Sequence, residues 1–471
     1  MTPSKPTTDP KDDDQAVTEV TADFPGLIDL VVDEQDYQRV KFWCMGPKGK
    51  PHCTASVEPS KTSVLVPPPR DALPWLLPRR REVVGYFKTD TNEAYFRALV
   101  EWIETYADLA AGYAVLLAAW IVHTYFVDLI HASPYVVFTG PPETGKTRVV
   151  VAAIHAARRG ILTMTPREAA LIRYASDYRA TVALDTIDFM GCIREMADFF
   201  AARTTNDGAV TTRILDFKKG RFAGIEHYTA YGATLVASNT PIADDIIASR
   251  SLVMPVYQSS RTFRACATPQ LALPLRERGT AFRARVMRLQ RKGKLPAPPE
   301  LGSRRLGEIL SGLALAVTLT DPSFLPTLER LAVTFAAARR TEVQDTFEVE
   351  LLRRAIAELE GVGAEVVEMK LVDFVKNANG DRRETGEKLL TSRRVSGTLR
   401  TTLGLKVESG TGNYSYVTFR RDQLADLATR YGLQGPTGVK DVNNPSASEA
   451  HVNAPLATEL PVVPKGPRAP R

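Results

Sequence analysis

The chain has 471 residues, of which 44% are hydrophobic and 24% charged, with a formal net charge of +6 and a pI near 9.0. That length allows two to four domains, each with a sizeable core, and excludes a fibre. The mild basic excess favours an acidic partner such as nucleic acid, while four cysteines without a CxxC pair exclude a disulfide scaffold and point to a reducing, cytoplasmic setting.

Residues 1–23 are polar and rich in Pro and Asp, carry no apolar signal core, and are expected to form a disordered tail. Alternating runs such as QRVKFWCM and HCTASVE then predict a small β-rich module over 24–88. Within it Cys44, His52 and Cys53 are half of a zinc set with no second pair nearby, so free thiols are the preferred reading. Residues 89–132 are helical by periodicity. The 18 uncharged residues from Ala110 to Val127 match the lower length limit of a membrane span, but their alanines, His123, Thr124 and the strand that follows favour a buried helix and no membrane.

Strands and helices alternate over 133–260, the pattern of an α/β sheet. Residues 261–365 return to helix, a lid or linker that contains the basic run RERGTAFRARVMRLQRKGK. Its Arg283, Arg285, Arg288 and Arg291 suit either phosphate contact or a solvated face. A unit of different texture occupies 366–432, and 433–471 forms a second polar tail.

In the α/β region an apolar strand, Tyr135 to Phe138, enters Gly140-Pro141-Pro142-Glu143-Thr144-Gly145-Lys146-Thr147, and a helix leaves through Arg148. This is GxxxxGK[ST] in its strand–loop–helix setting, a binding loop for ATP and Mg²⁺. Its glycines turn backbone N–H groups toward phosphates, Lys146 reaches the β and γ phosphates, and Thr147 ligates the metal. A capping box from Thr165 to Glu168, with Pro166 at the first helical position, predicts the next helix. Strand Thr181 to Leu184 then delivers Asp185 to the edge where the phosphates sit, an acid able to hold Mg²⁺ through water. ATLVASN ends on Asn239, able to orient an attacking water, and Arg250 precedes the strand SLVMPV, where an arginine can reach a neighbouring subunit's nucleotide.

The order GPPETGKT, TVALDTID, ATLVASN and SRSLVMPV resembles the AAA+ and superfamily 3 helicase-like ATPases of phage and plasmid replication proteins, including primase-associated helicase domains. The resemblance covers residues 110–260. It implies that Lys146 and Thr147 are Walker A residues, Asp185 the Walker B acid, Asn239 sensor 1 and Arg250 an arginine finger, in a ring that is usually a hexamer. Arg304 or Arg305 would be sensor 2. The departure is Thr186, where relatives carry a water-polarising Glu, although the final acid of their Asp-Glu-x-Asp persists as Asp188. Either Asp188 or another acid such as Glu143 takes the base role, or hydrolysis is slow and the protein is an ATP-dependent clamp. Turnover is the favoured alternative, since Asn239 and Arg250 have little use in a pure nucleotide holder.

Two features bear on DNA. Alternating runs Val210 to Leu215 and Ile225 to Tyr231 flank Lys218-Lys219-Gly220-Arg221, a hairpin with a basic tip. The resemblance implies a pore hairpin gripping single-stranded DNA with Lys218, Lys219 and Arg221; a solvated turn is the alternative. In the C-terminal unit EMKLVDFVKNAN predicts one helix. Ser392 to Leu403 predicts a second, with Val395, Leu399 and Leu403 inward and Arg393, Arg394 and Arg400 outward. A hairpin and a helix from Asp422 to Arg430 follow, an order that resembles a winged helix, which binds duplex DNA or a protein. The expectation is a P-loop α/β ATPase with an AAA+-like parallel sheet, helical lid, small β-rich N-terminal module and C-terminal winged helix, acting as a ring-forming DNA helicase. Its rival is an ATP-bound initiator, loader or regulator with slow hydrolysis. No primase or nuclease metal cluster is evident.

Overall fold

Residues 133–255 alternate strands with helices because the strands of the central sheet, such as YVVFT, VALD and TLVAS, are buried on both faces and helices cover them. The computed structural model describes residues 17–186, 189–207, 210–214, 225–263, 266–302, 304–344, 346–385, 388–410 and 414–436. They form two compact units, divided at Ala338 and Arg339.

The first unit opens with two three-stranded sheets. Strand β1 (Val17–Val20) pairs in parallel with β6 (Ser63–Val66), which also pairs with β5 (Val57–Ser60). Strand β2 (Leu27–Asp33) pairs with β3 (Asp36–Met45), and β3 with β4 (Pro51–Thr54). Strand β1 falls in the stretch expected to be a tail. Its side chains are exposed, so backbone bonds such as Val17 N–H to Thr62 O carry the pairing and hydrophobic patterning gives no sign of it.

Helices α1 (Arg80–Thr89), α2 (Asn92–Tyr106) and α3 (Tyr113–Thr124) follow. Every residue of α3 is buried, and among the described residues no helix is long and apolar enough to cross a membrane. The central sheet is parallel, with β7 (Tyr135–Thr139), β8 (Ile161–Thr163), β9 (Val182–Asp185), β12 (Thr234–Ser238) and β13 (Ser251–Pro255) in the order β13-β7-β12-β9-β8. Its period of two divides the core. Val136, Phe138, Leu235 and Met254 pack with α2, α3 and α4 (Lys146–Ala156), while Tyr135, Val137, Val182 and Val236 pack with α5 (Glu168–Ser176), α6 (Phe189–Glu195) and α7 (Ala197–Ala202). Helix α5 starts at Glu168 with no side-chain cap, so Thr165 and Pro166 do not form the expected capping box. Its buried Leu171, Ile172 and Ala175 begin only one turn later, and a helix begun at Pro166 would add a turn with nothing apolar to bury.

Strands β10 (Val210–Ile214) and β11 (Ile225–Thr229) form the expected antiparallel hairpin, whose basic tip lies outside the described residues. Helix α8 (Asp245–Ser249) leads into β13, and α9 (Pro269–Arg291) crosses the unit. Helix α10 (Arg304–Thr320) and the first part of α11 (Leu325–Gln344) join the core around α3.

The second unit contains α12 (Phe347–Val362), β14 (Val366–Lys370), α13 (Leu371–Ala378), α14 (Gly380–Thr385), α15 (Ser392–Gly397), β15 (Lys406–Ser409), β16 (Ser415–Arg420) and α16 (Arg421–Tyr431). The antiparallel sheet order is β14-β16-β15. The single helix expected over EMKLVDFVKNAN is a strand followed by a helix: Val366 to Lys370 pair with β16, and only Leu371 onward is helical. Helix α15 runs into a π-helical turn, Thr398–Thr402, and Val395, Leu399 and Leu403 are buried as the spacing requires.

Candidate nucleotide site

Parallel pairing decides what meets here. Because β7, β9 and β12 run side by side in register, their C-terminal ends place Gly140, Asp185 and Asn239 along one edge. A cleft of about 700 Å³ opens on that edge, lined by Pro142, Glu143, Gly145, Lys146, Thr147, Arg148, Asp185, Thr186 and Asn239.

The loop is built for close approach. Gly140 has φ +152°, and a Cβ there would lie 2.4 Å from the Val256 carbonyl oxygen. Gly145 is left-handed at φ +94°, as is Glu143 at φ +66°, a conformation that costs a non-glycine residue energy. The Lys146 ammonium donates to the carbonyls of Gly140 (2.8 Å) and Pro141 (2.6 Å), bonds that must be exchanged for phosphate oxygens on binding. Burial lowers its pKa from the ordinary lysine value, with Asp185 partly countering. The Thr144 hydroxyl donates to Pro141 O at 2.9 Å and stiffens the loop. Left-handed glycines, a lysine inside the loop and a hydroxyl and carboxylate converging on one cleft fit a magnesium nucleotide. Thr147 and Asp185 would hold the metal, which would screen phosphate charge.

The other predicted residues divide into three groups. Arg148 lines the cleft, but its Nε donates to Tyr106 O at 2.8 Å and its guanidinium lies 4.7 Å from the Phe263 ring centre. Arg250 lies at the start of β13. With Ser251 paired to Tyr135 and Pro255 to Thr139, it is at the opposite end of the sheet from Gly140, roughly 15 Å away at strand spacing, and does not line this chain's own cleft. Its Nη1 donates to Ile246 O at 3.0 Å. Asp188, Lys218, Lys219 and Arg221 lie outside the described residues. In the second unit Arg393, Arg394 and Arg400 are exposed. The Arg394 guanidinium rests 4.3 Å from the Phe347 ring centre and Arg400 donates to Val407 O at 3.0 Å.

The basic run turns inward through Arg288, and only its end, from Gln290 to Lys294, is exposed. Arg283 is buried and donates to Ile28 O, Tyr125 O and both oxygens of Asp128. Arg285 holds Asn92 and Tyr86 O, Arg288 stacks on Phe87, and Arg291 holds Gly46 O. Cys44 and Cys53 pack in separate clusters and are free thiols, and the described residues contain no group of three or more metal-ligating side chains. Arg305 pairs with Glu308 and, like Arg304, does not line the cleft.

Sequence reasoning missed Met164, Val151, Cys266 and Ala267 on the cleft wall, and an adjoining cavity of about 400 Å³ between the end of α2 and residues 256–263. Ser259 donates to Asp108 there at 2.6 Å. No motif marks these positions: loops bring in Met164, Cys266 and Ala267, and Val151 lies one turn beyond the motif on α4.

No protein-family model and no curated protein matches the chain. Among solved structures it is similar to the active helicase Cch of SCCmec type IV (12% identity over 81% of this chain and 77% of that one, TM-score 0.34). It is similar also to the apo C-terminal region of NrS-1 (11%, 78% and 83%, TM-score 0.37) and to Drosophila ORC bound to DNA (13%, 72% and 92%, TM-score 0.17). Likeness this loose carries no role across to the chain.

Proposed function

We propose that this chain is an ATP-dependent DNA translocase or helicase that works as a ring, a hexamer by analogy with the ATPases it resembles, in replication of a mobile element or virus. The observation that carries the reading is the single cleft onto which Lys146, Thr147, Asp185 and Asn239 converge. In this reading Lys146 neutralises phosphate charge, Thr147 and Asp185 hold Mg²⁺, Asn239 orients water, and Arg250 serves the neighbouring subunit from the far edge of the sheet. The hairpin β10–β11 precedes the Asn239 strand and would carry Lys218, Lys219 and Arg221 to single-stranded DNA. The second unit's order of helix, strand, helices and hairpin, with its sheet order β14-β16-β15, supports a winged helix that would offer Arg393 and Arg394 to duplex DNA. Cytoplasmic action fits four free cysteines.

One observation favours a second reading. Thr186 lines the cleft where a carboxylate would polarise water, which favours a slow switch, an initiator or loader that assembles when ATP is bound. Steady-state ATPase activity with and without single-stranded DNA separates the two, with Lys146→Ala as blank. DNA-stimulated turnover lost in the variant supports the motor; tight ATP binding with no turnover above the blank leaves the switch.

A further inference from the structure

Two stretches far apart in sequence lack acidic residues altogether: none lies between Asp36 and Glu58, or between Glu277 and Glu300. The fold joins them. The turn between β3 and β4 packs on the C-terminal end of α9, where Arg291 Nη1 donates to the Gly46 carbonyl at 2.6 Å. One turn back, a Cβ on Gly49 would stand 3.7 Å from Arg288 Cγ, and the Arg288 guanidinium lies 5.1 Å from the Phe87 ring centre. The same tripeptide occurs on both sides of this contact, Lys48-Gly49-Lys50 in the turn and Lys292-Gly293-Lys294 after the helix, each around a left-handed glycine (φ +69° and +63°). All four lysines are exposed. Among the described residues no carboxylate pairs with them, with Arg288 or with Arg291. The helix dipole favours cations in a last turn, which accounts for Arg288 and Arg291, but Lys48 and Lys50 arrive from a strand turn. Like charges gathered without a counter-charge repel one another, and a polyanion relieves that repulsion.

We propose that this surface holds the phosphate backbone of duplex DNA. Lysines act there as point charges, suited to backbone contact rather than to reading bases. Surfaces for single strands add exposed aromatic rings on which bases stack. Of the large hydrophobic side chains exposed among the described residues, none lies in 46–50 or 288–294, and the Phe87 ring is taken by Arg288. The contact is therefore made by charge alone, independent of sequence and steeply dependent on salt. It uses none of the residues assigned to DNA above and does not rest on ATP turnover.

The test is fluorescence anisotropy of the full chain on a random-sequence DNA duplex across a salt series, without nucleotide. Lys48→Gln, Lys50→Gln, Lys292→Gln and Lys294→Gln together should reduce the slope of log affinity against log salt by about 3–4, at roughly 0.9 per phosphate contact, and weaken binding at low salt by at least about tenfold. Lys61→Gln, Arg167→Gln, Arg173→Gln and Arg330→Gln remove the same charge from exposed positions elsewhere on the unit and should change the slope by less than about one. A thermal melt checks that each variant is folded; should the turn lysines disturb it, Lys292→Gln with Lys294→Gln carries the comparison at about half the drop. An unchanged slope in the first variant, an equal drop in both sets, or a drop seen only with a single-stranded probe overturns the proposal.

Discussion

A methyl group on Gly140 would press on the Val256 carbonyl from 2.4 Å, on backbone that L side chains rarely adopt. Gly140→Ala is therefore expected to weaken nucleotide binding by at least about tenfold while the chain stays folded at a cost of roughly 1–3 kcal/mol; fluorescent-nucleotide titration and a thermal melt measure the two effects. Asn239 lines the cleft from the end of β12, beside the loop rather than within it, so Asn239→Ala should retain ATP binding and lose turnover by about a hundredfold or more. Equal loss of both would show that Asn239 binds rather than orients. The positions of Lys146, Asp185 and Asn239 on one edge were legible because each sits at a strand–loop junction whose apolar run is readable. Met164 and Cys266 were not, since they reach the cleft from loops that no periodicity describes.

Helix α9 shows what a charge pattern conceals. Its arginines alternate with small and apolar residues in a way equally compatible with a solvated face, and only the surrounding carbonyls make Arg276 and Arg283 interior groups. Removing Arg283 would strand Asp128 and the Ile28, Leu27 and Tyr125 carbonyls, so Arg283→Met should cost about 3–5 kcal/mol in urea unfolding. Smaller elements obey more local rules. The Thr391 hydroxyl accepts from Arg394 N–H at the start of α15, and Thr391→Ala should cost about 1 kcal/mol. Strands β1 and β14 escaped a reading by side-chain pattern because backbone pairing with β6 and β16 defines them.

On the scale of the molecule, the α/β core was legible from alternation and loop chemistry, whereas the burial of α9 against β2 was not, because it joins residues far apart in sequence. Stability should also depend on pH. Burial lowers the His123 pKa to about 3, and burial and Arg276 lower that of His155 to about 4. Both lie below the unfolded value near 6.5, so the unfolded chain binds more protons as pH falls, and stability that is full above 6.5 is lost toward 3–4. At pH 4.5 His123 alone should account for about 2–3 kcal/mol. His123→Leu should reduce that part of the curve to the share of His155 between about 6.5 and 4, with the loss below about 3.8 coming from the salt-bridged Asp29 and Asp128, whose pKa values are lowered.

The bond from Arg283 to the Ile28 carbonyl spans 255 residues of sequence. At about 5–20 residues per second, a ribosome needs roughly 13–50 s to make that stretch. Strand β2 therefore waits through most of the unit's synthesis before its anchoring helix exists, with its apolar face unsealed. The Ile28 and Val31 face closes only when α9 packs on it, a long-range step of the kind that slows folding.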